Sequence, residues 1–122
     1  MMTTKIYNEF HVATTDATST ILATLPVTLD ASVLVNGFLV ARRTGGVSGT
    51  NGDSAAFIMN TIAKNIGGVV TLLAQNASFS SQDQVSWAAT FSVSGSNVVL
   101  TVAGATGNNI DWVVYLNSFE VL

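Results

Sequence analysis

One histidine, His11, and seven carboxylates, Glu9, Asp16, Asp30, Asp53, Asp83, Asp111 and Glu120, are the groups of this 122-residue chain suited to moving a proton near neutral pH. Nucleophilic catalysis needs a thiol or hydroxyl held against a base. The chain has no cysteine and no Gly-x-Ser-x-Gly elbow, and its one imidazole lies between Phe10 and Val12 in a stretch that reads as a strand. His11 is therefore expected to be structural. Glycoside hydrolysis needs two carboxylates converging across a cleft. Here the acids are scattered singly, mostly at turns, where an aspartate serves by accepting hydrogen bonds from backbone N–H groups two residues on. Neither thiolate nor clustered-histidine metal sites can be built from this composition.

The densest chemistry is the stretch ARRTGGVSGTNGDSAAF, residues Ala41 to Phe57. Glycines free backbone amides to meet an anion, and Asn51 and Asp53 could offer oxygens to a cation. No Gly-Lys-Ser/Thr follows, however, and the alternating acids and terminal glutamate of a calcium loop are missing. The stretch reads instead as a long connection between strands, with Asn51-Gly52 in a positive-φ turn. Arg42 and Arg43 are adjacent on a strand and so point to opposite faces. One is expected to serve the loop itself and the other a neighbouring chain. Arg42, Arg43, Asp53, Tyr115 and Phe119 are the candidate interface residues, and no catalytic, cofactor-binding or metal-binding residue is assigned.

These residues must be positioned by strands, because apolar residues recur with a period of two. In SWAATFSV, Trp87, Ala89, Phe91 and Val93 share one face. SGSN then turns the chain, and VVLTVA resumes with Val98, Leu100 and Val102, so residues 86–103 read as a hairpin. Further strands are expected over residues 5–13, 18–25, 32–43, 54–64, 69–75 and 110–121, with Pro26 following the second. Residues 53–65 could open a short helix at an Asp or Ser cap, but the alternation of Phe57, Met59, Thr61 and Ala63 with their neighbours favours a strand. Trp87 and Trp112 each share a face with apolar residues and are expected in the core, whereas Tyr115 and Phe119 lie on the opposite face of the last strand. About eight strands joined by Gly/Ser/Asn turns predict an all-β protein, an antiparallel jelly-roll-like β-sandwich forming a single domain over residues 1–122. An immunoglobulin sandwich is the alternative, without its Cys, Trp, Cys spacing.

Composition speaks to partners. Charged residues make up 9 % of the chain and the mean hydropathy is +0.49, against about 25 % charged in an average domain. Forty Ser, Thr, Asn and Gln residues supply a neutral hydrogen-bonding exterior. So little charge gives copies little reason to stay apart, which points to a permanent assembly. A net charge of −3 with four basic residues argues against nucleic acid as a partner. The apolar runs are too short for a membrane-spanning helix, and the N-terminal residues lack the apolar core of a signal peptide. The Asn76-Ala-Ser acceptor pattern is accordingly read as chance. Two segments, SVLVNGFLVARR and IDWVVYLNSFEV, are apolar on both faces, as in central strands or strands covered by another subunit.

The succession VNGFLVARR, GDSAAF, a central Trp and VSGSNVVLTVAGATGNNIDWVVYLNSFEV resembles small β-rich structural proteins and fibre domains of tailed bacteriophages, over roughly Val33 to Leu122. Residues 1–30 match no motif and read as an arm or an extra strand pair. The resemblance implies a virion protein without enzyme activity or cofactor, commonly a homotrimer. A short chain without stalk or coiled coil is expected to be a capsid decoration or cement protein, seated on the capsid surface against the major capsid protein. The alternative it implies is a tail or fibre module that binds a receptor or carbohydrate.

Overall fold

A computed structural model describes residues 3–122. Among them eight strands form and no helix: β1 (Thr3–Thr14), β2 (Thr20–Pro26), β3 (Ser32–Gly45), β4 (Ser54–Ile66), β5 (Val69–Gln82), β6 (Ala88–Ser94), β7 (Asn97–Ala103) and β8 (Asn109–Val121). Two antiparallel sheets result, ordered β1-β8-β3-β4-β5 and β2-β7-β6. The chain ends nest as in a jelly roll, with β8 between β1 and β3 and β7 beside β2, while β3, β4 and β5 run as successive hairpins within one sheet. The segment that could have capped a helix is β4, and its alternation is complete: Ala55, Phe57, Met59, Thr61, Ala63 and Asn65 are buried while the residues between them are not. Pro26 is the last residue of β2, paired with Asn97, rather than the residue after it.

The core fills the space between the sheets. Trp112, Val114, Ile110 and Leu116 of β8 and Val35, Leu39 and Ala41 of β3 meet Phe91, Val98, Leu100 and Val102 of the smaller sheet. Trp87 lies just ahead of β6 and stacks at a tilt on Trp112, ring centroids 5.9 Å apart. The Trp112 Nε1–H donates to Thr14 Oγ1 at 2.8 Å, tying β8 to the end of β1. Gly37 is the inward residue of β3 where Leu116 and the Phe91 ring crowd in, a Cβ there falling 3.1 Å from Leu116 Cδ2. A larger side chain would displace them.

Three strands cannot cover five, since each adds only about 4.8 Å of width. The overhang falls largely on β5, seven residues longer than the alternation in sequence suggests, and exposed from Leu73 to Ser81. The seven added residues, NASFSSQ, are too polar to announce a strand. Two bulges interrupt its pairing with β4, between Ile58 and Met59 and between Ile62 and Ala63 of the partner strand. Because Ala77 and Phe79 pair with adjacent residues of β4, Phe79 is turned outward, where regular alternation would have pointed it in.

The open side between β5 and β6 is closed by side chains. Gln75 accepts from the Phe91 N–H at 3.1 Å and donates to the Phe91 carbonyl at 3.0 Å, so one amide stands in for a strand partner. Gln82 donates to the carbonyls of Val85 and Trp87. Gln75→Ala is expected to cost about 1–2 kcal/mol, two neutral hydrogen bonds with partial replacement by water. Urea unfolding measures the cost, and hydrogen exchange should show the Phe91 amide losing protection while that of Leu100, inside the smaller sheet, keeps it.

Candidate functional site

The strand registers set the outward residues of the five-stranded sheet in rows that cross it. One row is Tyr7, Asn117, Asn36, Asn60 and Asn76, on β1, β8, β3, β4 and β5 in turn. Asn36 Nδ2 donates to Asn117 Oδ1 at 3.0 Å within it. On one side runs Lys5, Phe119, Leu34, Ile62 and Ala74; on the other, Glu9, Tyr115, Phe38, Ile58 and Phe79. Beyond the second lies His11, Val113, Val40, Ala56 and Ser81. Phe38 is 47 % exposed and Tyr115 44 %, and Leu34, Val40, Phe79 and Phe119 are open to a similar degree. Lys5 lies over the Phe119 ring at 5.6 Å, and Tyr7 and Tyr115 meet with centroids 6.5 Å apart. The result is a broad apolar surface crossed by a line of primary amides. Contiguous apolar area of this kind marks interaction sites.

At one end of this face His11, Val40, Arg42, Thr44, Asp111 and Val113 line a shallow hollow of about 370 Å³. Arg42 and Asp111 are cross-strand partners there. The Thr44 hydroxyl donates to the Asn109 carbonyl. A nucleophile must be bonded to its base or able to reach it, and the hollow holds one imidazole, one carboxylate and no such pair. Among the described residues no three His, Cys, Asp or Glu side chains cluster as a metal site would need.

The five residues singled out from sequence divide between two places. Arg42, Tyr115 and Phe119 lie on the outer face. Arg43 and Asp53 instead fold the loop after β3 onto itself. Arg43 is 7 % exposed. Its guanidinium donates to the Ser48 carbonyl at 2.8 Å, to Asn51 Oδ1 at 2.9 Å and to the Gly46 carbonyl at 2.8 Å. That fork geometry is what arginine offers and lysine does not. Asp53 Oδ2 accepts from the Thr50 N–H and from Gln84 Nε2, and the same Gln84 amide donates to Asn108. Gly46, at φ 111°, approaches the Gly107 carbonyl where a Cβ would collide. Of the Asn51-Gly52 pair, Gly52 takes the positive φ, 82°. Each arginine thus faces its own side of β3. The strand assignment already implied this division, though not which arginine served which role.

The amide row escaped the sequence reading. Its members stand in the outward phase of four strands, in VNGF, MNT, QNAS and LNSF, but their alignment is a matter of register, and turn lengths and bulges fix it. The available signal was that β3 and β8 are apolar in both phases.

No protein-family model matches the chain, and no curated protein matches it in sequence. Solved structures similar to it include tailspike proteins of Acinetobacter phages. The tailspike gp49 of Acinetobacter baumannii bacteriophage Fri1, a capsular polysaccharide depolymerase, shares 12 % identity at a TM-score of 0.49, over 94 % of this chain and 17 % of that one. The tailspike of Acinetobacter baumannii phage AM24 shares 10 % at 0.46, over 98 % and 25 %. That of Acinetobacter phage vB_ApiP_P1 shares 17 % at 0.41, over 90 % and 21 %. The chain spans a quarter or less of the length of each. At these figures neither the depolymerase activity nor any residue of those proteins transfers to this chain.

Arg43→Ala is expected to cost about 2–3 kcal/mol, the value of hydrogen bonds from a charged donor to groups left behind in the loop, whereas Arg42→Ala should stay within about 0.5 kcal/mol as a surface change. Thermal and urea unfolding of the two variants check the contrast. Asp53 also makes the loop sensitive to acid. Donation from the Thr50 N–H and then from Gln84 holds its carboxyl below the ordinary 3.8, with slight burial opposing and the Arg43 charge assisting last. A carboxyl whose folded pKa is depressed stabilises the fold fully above its unfolded pKa, and that stability is lost as the pH falls through the folded value. The stability difference between the native chain and Asp53→Asn should therefore be constant from pH 7 to 5 and shift against the native chain below 3.8. Asp16, lowered by Thr18, titrates in both and cancels.

Proposed function

We propose that this chain is a structural module of a bacteriophage virion, one that works by packing against protein and turns over no substrate. The observation that carries the reading is the outer face of the five-stranded sheet: rows of half-exposed Phe, Tyr, Leu, Ile and Val on a chain with 9 % charged residues. Left in water such a face favours uncontrolled association; covered by protein it becomes the core of an interface. The pattern of residues 33–122, with its double arginine, Gly-Asp-Ser-Ala turn and Ile-Asp-Trp strand, supplies the phage context. Two seats suit such a module. On the capsid surface it would cement the shell by binding the major capsid protein. At the tail it would build part of the receptor-binding apparatus. The aromatic character of the face favours the tail seat: left open instead of covered by protein, Tyr7, Tyr115, Phe38, Phe79 and Phe119 beside a row of amides would suit the stacking and hydrogen bonding that recognise a carbohydrate.

The experiment is to purify particles of the virus encoding the chain, wash them in high salt, separate heads from tails and detect the chain with an antibody. The expected result is many copies per particle in the tail fraction, with incorporation reduced tenfold or more by Phe38→Glu. Recovery with heads assigns it the cement role, and absence from both fractions overturns the proposal. Glycan binding that is lost in Tyr115→Ala and Phe119→Ala establishes the carbohydrate reading.

A further inference from the structure

The row pattern of the outer face is self-complementary, and we propose that it seats a second copy of this chain, face to face, about a two-fold axis that lies along the asparagine row. The inference deepens the structural reading above and rests on it for its biological setting. Rotation by 180° about that axis leaves each strand over its own counterpart and exchanges the rows on either side. Asn36 then meets the second copy's Asn36, and Asn60, Asn76 and Asn117 do likewise. Phe119, Leu34, Ile62 and Ala74 meet Tyr115, Phe38, Ile58 and Phe79 of the other copy, column by column. The smaller side chains Leu34 and Ala74 face the rings of Phe38 and Phe79, the pairing of small with large that interdigitation requires.

Charge selects this axis over the other that superposes the row on itself. On β1, Lys5 and Glu9 stand one row to either side of Tyr7. Four residues along one strand put them about 13 Å apart, too far to pair within the chain. The axis along the row sets Lys5 of each copy over Glu9 of the other, forming two pairs. An axis parallel to the strands would lay β1 over β5 and set Lys5 against Ala74 and Glu9 against Phe79, desolvating both charges without partners. Arg42, Asp111, Asp83 and Lys64, the other charged residues of the face, fall in or beside its end rows, at the rim.

The amides constrain the register as well. Each carries two donors and an acceptor with two lone pairs, so the Asn36–Asn117 bond uses a fraction of the capacity of the row. A line of amides facing its own image can pair carbonyl to NH₂ across the axis, and it penalises any slip that would put an amide on a phenyl ring. A polar residue in an apolar seam fixes register in this way. The area suffices. Five strands and the nine residues from Val113 to Val121 span about 24 by 27 Å, so the two faces together remove on the order of 1,300 Å² from water, within the range of stable specific interfaces.

The test uses the 122-residue chain and its lack of cysteine. Asn36→Cys places a single thiol on the axis, and a short bismaleimide is expected to convert most of the protein to covalent dimer at micromolar concentration, whereas a cysteine on the smaller sheet at Thr101, as control, does not cross-link. In sedimentation equilibrium Lys5→Glu and Glu9→Lys should each weaken the dimer about tenfold, the change from attraction to repulsion in two exposed pairs, and the double variant should recover the original affinity. Circular dichroism confirms that each variant is folded. A monomer, the trimer that the phage resemblance implies, or a double variant no tighter than the singles would overturn the two-fold arrangement. A monomer recovered from particles overturns this inference alone; a dimer absent from particles overturns the functional reading alone.

Discussion

Everything in this molecule follows from a sheet that is apolar on both faces and a second sheet too narrow to match it. The inward phase of β3, β4 and β8 is satisfied internally by β2, β6 and β7, which bury Trp112, Val114 and Leu39 completely or nearly so. The outward phase is left with Phe38, Val40, Ile58, Ile62 and Tyr115. At about 25 cal/mol per Å² the burial of even half of that surface outweighs what the few charges of the chain could contribute. Stability of the single chain and the association proposed for it thus rest on one strand pattern.

The polar groups divide the remaining work by location. At one end of the sandwich Arg43, Asp53, Gln84 and Asn108 hold a glycine-rich loop in a single shape through charge-assisted hydrogen bonds. Such a loop could otherwise sample many conformations, since glycine loses the most freedom on ordering. Along the open side Gln75 and Gln82 supply the bonds that a missing strand would have made. Across the outer face the asparagines place a line of hydrogen-bonding capacity among apolar residues.

The sandwich was legible because alternation with turn residues between runs is a direct record of half-buried strands, and the opposite orientations of Arg42 and Arg43 follow from the same geometry. The second half of β5 was not, because NASFSSQ extends an overhanging edge with little to bury, and a bulge there breaks the alternation that would have announced it. Nor was the asparagine row. Four residues tens of positions apart become neighbours only through the registers of three strand pairs, and register depends on turn geometry and bulges that a linear reading does not contain. Arg43 shows the same limit on a smaller scale: the pattern gave it a face, and the loop it clasps gave it a role.

The bulges of β5 bear on how copies of the chain can grow together. A regular, flat edge strand is a template onto which further strands add without end, and a chain this short of charge has little else to prevent it. Two extra residues in β5 interrupt the ladder and increase its twist, so this edge of the sheet, unlike the regular β1 edge opposite, offers no straight run of unpaired N–H and C=O groups. Addition through β5 is thereby disfavoured, which leaves the outer face as the better seat for a second copy. Growth from an edge is open-ended, whereas contact through a face that is complementary to itself closes after one step. The difference is between a fibre and a unit of fixed size.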